Sequence, residues 1–137
     1  MLRLFILEDE ITQQFRIEKT INELIATRAL PCKAPETFDN RDSLLQAITE
    51  RGAHQLFFLD IEIKGEEKSG LSIAREIRKK DPGAVIVFVT THSEFMPITF
   101  RYQVAALDFI DKTLDDRQFS ARIASAIEYT LESLGSR

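Results

Sequence analysis

The chain has one cysteine, Cys32, and no tryptophan, so no internal disulfide can brace it. The surroundings of that cysteine, ALPCKAP, are strand-like and favour a small core residue over a reactive thiol. Glycine (5) and proline (4) are scarce, and no linker, low-complexity segment or internal repeat divides the sequence. No apolar run approaches the length needed to cross a bilayer, and MLRLFILEDE turns acidic too soon for a signal peptide. Excess positive charge is lacking as well. The 18 Lys+Arg stand against 22 Asp+Glu, a net charge of -4, the wrong sign for holding nucleic acid through its phosphates. These absences predict a cytoplasmic protein with no membrane contact, in which any DNA-directed role belongs to another domain. At 137 residues the chain suits one domain, burying roughly two-thirds of the surface that its unfolded form exposes.

What is present is an alternation of strand and helix patterns. Residues 2–7 form a short apolar run stopped by Glu8-Asp9-Glu10. Ile17, Ile21, Leu24 and Ile25 then recur at helical spacing, predicting a helix over residues 11–30. A Pro-flanked strand is expected near 32–38, followed by a helix capped by Asp39 or Asn40, turning Leu44, Leu45 and Ile48 inward and ended by Gly52. Residues 56–59 read as the third strand. Leu71, Ala74 and Ile77 mark a helix stopped by Asp81-Pro82-Gly83, and 84–89 is the continuously apolar strand expected in a parallel sheet covered on both faces. Residues 94–103 read only weakly as helix, because Pro97, Thr99 and Tyr102 lower the propensity. A fifth strand over 104–110 and a last helix opened by the capping-box-like Asp115-x-x-Gln118 complete five βα units. Such alternation predicts a parallel α/β sheet with helices on both faces, whose ligands bind beyond the carboxyl ends of the strands.

The residues at those ends are Glu8 and Asp9 after the first strand, Asp60 after the third, Thr90 after the fourth and Lys112 after the fifth. Carboxylates gathered at one edge repel unless a cation neutralises them. Their all-oxygen character suits Mg²⁺, which accepts one or two carboxylates together with phosphate oxygens. The set therefore predicts a magnesium site for phosphoryl chemistry, with Asp60 as nucleophile and Thr90 and Lys112 neutralising the transferring group. Any one of these acids alone reads equally well as a helix cap. His54 and His92 lack metal-ligand spacing and read as surface histidines.

FILEDE, FFLDIEI, VFVTT and ALDFIDK, in that order and spacing, resemble the receiver domains of two-component response regulators over essentially the whole chain. The resemblance implies a flavodoxin-like five-stranded sheet of order 2-1-3-4-5 and a receiver domain over 1–134 with a tail or tag remnant at 135–137. It makes Asp60 the phosphoacceptor and adds the backbone carbonyl of Glu62 to Glu8, Asp9 and Asp60 as Mg²⁺ ligands. Thr90 and Lys112 would contact the phosphoryl group, and Thr90 and Phe109 would form the switch. Glu62 and His92 would flank the approach of hydrolytic water and set the lifetime of the phosphorylated state. Implied partners are a sensor histidine kinase and, on phosphorylation, a second copy of the chain, meeting on a face that carries Phe95, Phe100, Arg101, Tyr102, Asp108 and Asp111. The long DIEIKGEEKSG loop and SEF…YQVAALDFIDK look like peptide-pheromone regulators. Those regulators carry a LytTR DNA-binding domain after the receiver, and it is absent from this chain. Lys112 is followed by Thr113 where receivers have proline, so a trans bond is expected and the direction of the lysine is left open by the motif.

Three rivals stay in view. Asp60-Ile-Glu62 faintly resembles the D-x-D of haloacid dehalogenase-like phosphatases, but that motif belongs to a first strand. Flavodoxin needs a glycine- and hydroxyl-rich phosphate loop where Glu8-Asp9-Glu10 stands. A receiver-like module that is never phosphorylated would have no need of all five site positions.

Overall fold

The computed structural model describes residues 1–52, 54–66 and 68–135. Its elements in chain order are β1 Arg3–Leu7, α1 Ile11–Arg28, β2 Glu36–Phe38, α2 Arg41–Ala47, β3 Gln55–Leu59, α3 Ser69–Lys80, β4 Val85–Thr90, a 3-10 turn Ser93–Phe95, α4 Met96–Thr99, β5 Asp108–Asp111 and α5 Asp116–Gly135. The strands form one parallel sheet of order β2-β1-β3-β4-β5, as expected. Gly135 closes α5, and the rest of the expected tail, Ser136 and Arg137, lies outside the described residues.

The central strands are largely apolar because successive side chains enter two separate cores. Leu4, Ile6, Leu56, Phe58, Val87 and Val89 pack with Ile17, Ile21, Phe119, Ile123 and Ile127 of α1 and α5. Their neighbours Phe5, Leu7, Phe57, Leu59, Ile86 and Phe88 pack with Leu44, Leu71, Ala74 and Ile77 of α2 and α3. Each fully buried side chain of this size contributes roughly 1.5–3 kcal/mol, and the period-two division fixes the strand register.

Several boundaries differ from expectation. Helix α1 stops at Arg28 because Ala29 turns left-handed (φ 50°) and Leu30 N–H bonds back to Ile25 O. Strand β2 has three residues instead of seven: Cys32 makes an isolated bridge to Leu2, and Pro35, without an N–H, precedes the ladder. Asn40 caps α2 through Ser43 N–H, but the helix ends at Ala47, where Ile48 becomes extended. Gly52 does not end it and instead donates to Asp81 Oδ1 at 2.8 Å. The weak segment 94–103 yields only the 3-10 turn and the four-residue α4. Strand β5 begins at Asp108 and not at 104, because Gln103 and Ala105 are left-handed (φ 55° and 53°) around a buried Val104. Arg78 fixes that bend by donating from Nε and Nη2 to Val104 O at 3.1 and 2.7 Å.

Candidate functional site

Beyond the carboxyl ends of β1, β3, β4 and β5 lies an open pocket of about 470 Å³, bordered by Glu8, Asp9, Asp60, Glu62, His92 and Lys112 among others. Parallel pairing places these residues together: Leu7 lies beside Leu59, Asp60 N–H donates to Leu7 O at 3.0 Å, and Lys112 N–H donates to Thr90 O at 3.0 Å. One oxygen from each of Glu8, Asp9 and Asp60 falls within 4.8 Å of the others. Glu8 is 1% exposed, Asp60 6% and Lys112 8%, so these charges must be neutralised by one another or by a ligand. Lys112 Nζ lies 2.6 Å from Asp60 Oδ2 and 2.5 Å from Glu8 Oε2. The lysine therefore points into the acid cluster, by a chain that contains no cis bond among the described residues.

The charge is unevenly shared. Burial pushes the Glu8 carboxyl up to about 7, with the Lys112 ammonium opposing the rise and the Asp60 charge adding to it. Burial alone would lower the Lys112 ammonium, but Asp60 and Glu8 outweigh it and hold it above its ordinary value. Glu8 Oε1 accepts from Glu10 N–H at 3.1 Å, whereas the buried Oε2, although paired in charge with Lys112, receives no aligned hydrogen bond among the described residues. An under-satisfied carboxylate oxygen beside two further carboxylates, in an all-oxygen donor set, fits a hard divalent cation of the Mg²⁺ type. Asp9 meanwhile accepts from Lys64 N–H at 2.7 Å, which ties the loop after β3 to the cluster.

Thr90 is fully buried at the end of β4, where its hydroxyl accepts from His92 N–H at 3.1 Å. Thr91, which carries no signal of its own in the sequence, borders the pocket. Glu62 and His92 are brought together: His92 Nε2 lies 2.5 Å from Glu62 Oε2 and Nδ1 lies 2.9 Å from Glu94 Oε1. The hydrogen bonds that the imidazole donates to Glu94 and then Glu62 raise it above its ordinary pKa, and its ring stacks on Phe95 at 5.5 Å. Phe109 stands apart from the acid cluster, packed on Phe88 at 6.1 Å, and borders a second pocket of about 580 Å³ with Met96, Phe100, Asp108 and Arg122.

Some groups that shape the site left little trace in the sequence. Gly70, in the first turn of α3, passes so close to the phosphoacceptor candidate that an added Cβ would lie 1.8 Å from Asp60 O. Ser69 Oγ accepts from Ile63 N–H and donates to Glu66 O, both at 2.9 Å, closing the loop after β3 on itself. In this loop Glu67 lies outside the described residues. Gln13 of α1 also borders the pocket, its buried Oε1 without a hydrogen bond among the described residues. Helical periodicity shows which side of α1 is buried. It does not show what a glutamine at the margin of that side will reach.

Comparison with known proteins agrees with this geometry. The family model described as response regulator receiver domain matches residues 4–124. Accessory gene regulator protein A of Staphylococcus epidermidis is 33% identical and that of Staphylococcus aureus strain N315 is 34% identical, each over 127 residues and 93% of this chain. The chain spans 52% of either relative. Among solved structures, the response regulatory domain of mrkE from Klebsiella pneumoniae superposes with a TM-score of 0.75 at 22% identity, covering 99% of this chain and 100% of that one. Response regulator TrrA from Thermotoga maritima, crystallised in complex with Mg(2+)-BeF, does so with a TM-score of 0.69 at 23% identity, over 92% and 99%. The fold, the order of its strands and the acid cluster at their carboxyl ends thus meet in one assignment: this chain belongs to the response regulator receiver domain family.

Proposed function

We propose that Asp60 accepts a phosphoryl group from a phosphohistidine of a sensor histidine kinase. The observation that carries this reading is the buried Lys112 ammonium held between Asp60 and Glu8. A carboxylate oxygen of Asp60 attacks phosphorus in line as the phosphorus–nitrogen bond breaks, and the leaving imidazole keeps the electron pair. The ammonium passes from the two carboxylates to an oxygen of the incoming group, while the Thr90 hydroxyl turns to donate to another. Glu8, Asp9, Asp60 and the Glu62 carbonyl would hold Mg²⁺, which supplies charge neutralisation for the transferring oxygens. The domain acts as a signalling module and not a turnover enzyme, yet it supplies the groups for its own phosphorylation and dephosphorylation.

Phosphorylation then favours a homodimer through the face around Phe100, Tyr102 and Asp108, with Thr90 and Phe109 as the coupling pair. Phe100 is 81% exposed and Met96 50%, side chains that a partner surface would cover. Transcriptional output belongs to a DNA-binding part of the longer proteins that this chain half spans, which fits cytoplasmic regulators similar to the accessory gene regulator proteins. No described helix is long and apolar enough to cross a membrane. Glu62 and His92, joined as an ion pair beside the pocket, slow the attack of water on the acyl phosphate, so the signal persists. Slower decay than in Glu62→Asn and His92→Ala, followed after removal of acetyl phosphate, supports this, and equal decay in all three opposes it.

The decisive experiment is mass spectrometry after incubation with Mg²⁺ and acetyl phosphate. The expected result is one added phosphoryl group, lost in Asp60→Ala. No adduct identifies a module that works by contact alone, and continued release of phosphate at enzymatic rates identifies a phosphatase.

A further inference from the structure

One side chain of α1 reaches across to the loop that carries Lys112. Arg16 of α1 donates from Nη1 to Lys112 O and from Nη2 to Leu114 O, both at 2.7 Å. Its guanidinium lies 3.9 Å above the ring of Phe119, which is fully buried, and contacts Asp116 Oδ1 at 3.2 Å. Between the two carbonyls, Thr113 donates from N–H and Oγ1 to Asp111 Oδ1 at 2.8 Å each, and Leu114 N–H returns to Asp111 O at 3.2 Å. Lys112 N–H is fixed to Thr90 O. Lys112 N–H and O, Thr113 N–H and Leu114 N–H and O are therefore all bonded, and the two carbonyls among them are held by one planar fork from α1.

We infer that Arg16 is a positioning residue that sets where the Lys112 ammonium can reach, an inference resting on the reading of Asp60 as phosphoacceptor. Lysine is a flexible stem, so the place of its charge depends on where its Cα is held. A planar guanidinium with two parallel donors can fix two carbonyls two residues apart, and an ammonium cannot do so from the same stem. Stacking on Phe119 fixes the plane of the fork in turn, so that α1, α5 and the β5–α5 loop share one register at the site. Asp116 contributes little, since its side chain is 96% exposed.

The test compares Arg16→Met, which keeps a stem over Phe119 and loses the fork, Arg16→Lys, which keeps the charge, and Asp116→Asn, which removes the exposed partner alone. Two quantities are read: the side-chain ammonium resonance of Lys112 in isotope-labelled protein, and the phosphorylation rate by acetyl phosphate at saturating Mg²⁺. We expect the resonance to shift in both Arg16 variants and not in Asp116→Asn. The rate should fall about tenfold in both, with Mg²⁺ affinity within about twofold of the parent, the pattern of a displaced reacting group and not of a lost metal ligand. A parental resonance and rate accompanied only by a lower Tm would show that Arg16 is a brace and overturn the inference. Should Arg16→Met fail to fold, Arg16→Lys alone decides. If the parent itself takes up no phosphoryl group, the reading of Asp60 falls separately, while the Lys112 resonance still decides the role of Arg16.

Discussion

The two ends of β5 belong to differently built parts of the molecule. At its carboxyl end Lys112 sits in a buried cluster whose members are tied to β1, β3, β4 and α1. At its amino end the chain arrives through two left-handed residues from a four-residue helix, with Phe100 and Met96 exposed beside it. The first region is over-determined, so a small chemical change there meets several opposing restraints. The second is held by few groups, and local opening costs least where few contacts must be lost. The proposed function needs reacting groups held fixed beside a surface that can alter, and this division along one short strand suits it.

The contrast can be broken most severely at Gly70. Gly70→Ala places a methyl against the backbone of Asp60 itself, and we expect a loss of roughly 3–5 kcal/mol in urea denaturation, since backbone cannot yield as a side-chain tip can. A variant of parental stability would mean that the floor of the site is adjustable.

Next in size is Lys112→Met, which leaves Glu8 and Asp60 buried without their cation and should cost roughly 2–4 kcal/mol in Mg²⁺-free buffer. Millimolar Mg²⁺ should restore more stability to this variant than to the parent, because the competing ammonium is gone. Thermal unfolding with and without the metal checks both statements, and equal Mg²⁺ effects would remove the cation from the cluster.

Arg78→Met tests the other end of β5. Its guanidinium holds Val104 O together with Pro82 O and Ala84 O, and its removal should cost about 2 kcal/mol. Hydrogen exchange should quicken across residues 100–107 while Mg²⁺ affinity stays unchanged. Faster exchange around Asp60 as well would show that the two regions are one cooperative unit.

The smallest effect concerns pH. Burial raises the Asp108 carboxyl, but the Arg122 hydrogen bonds, the Phe109 N–H and the guanidinium charge outweigh it and hold the group below its ordinary value. A depressed carboxyl stabilises the fold above its unfolded pKa of about 3.9 and loses that contribution as pH falls through the lower folded value. Arg122 is 43% exposed, so solvent screening keeps the contribution below about 1 kcal/mol. In Asp108→Asn the decline of Tm below about pH 4 should be shallower than in the parent, and identical curves would remove the ion pair from the stability of this face.

The sheet and the acid cluster were largely legible in the sequence because they depend on local pattern. Leu4 through Leu7, Leu56 through Leu59 and Ile86 through Val89 are apolar on both faces, and the residues following them fall at one edge by topology alone. What could not be read depends on distant reach or on unusual backbone. Nothing in Gln103 or Ala105 announces a left-handed conformation that glycine usually supplies, so the fifth strand was expected four residues too early. Arg16, Arg78 and Arg122 each end on the backbone or side chain of another element, and charge pattern along a helix does not reveal the destination. The apolar run before Thr90 puts it at the end of its strand, but the direction of its hydroxyl depends on the amide of His92, two residues on.

The outer strands of the sheet are its shortest, three residues in β2 and four in β5, against five or six in the strands between them. A parallel sheet of apolar strands is a template for further strands wherever its rim is long and flat. Here the rim offers only a few unpaired amides and carbonyls on either side, and Pro35 stands immediately before one of them. The shortness of the two peripheral strands thus works against edge-to-edge association of an interior sheet built of phenylalanine, isoleucine and valine.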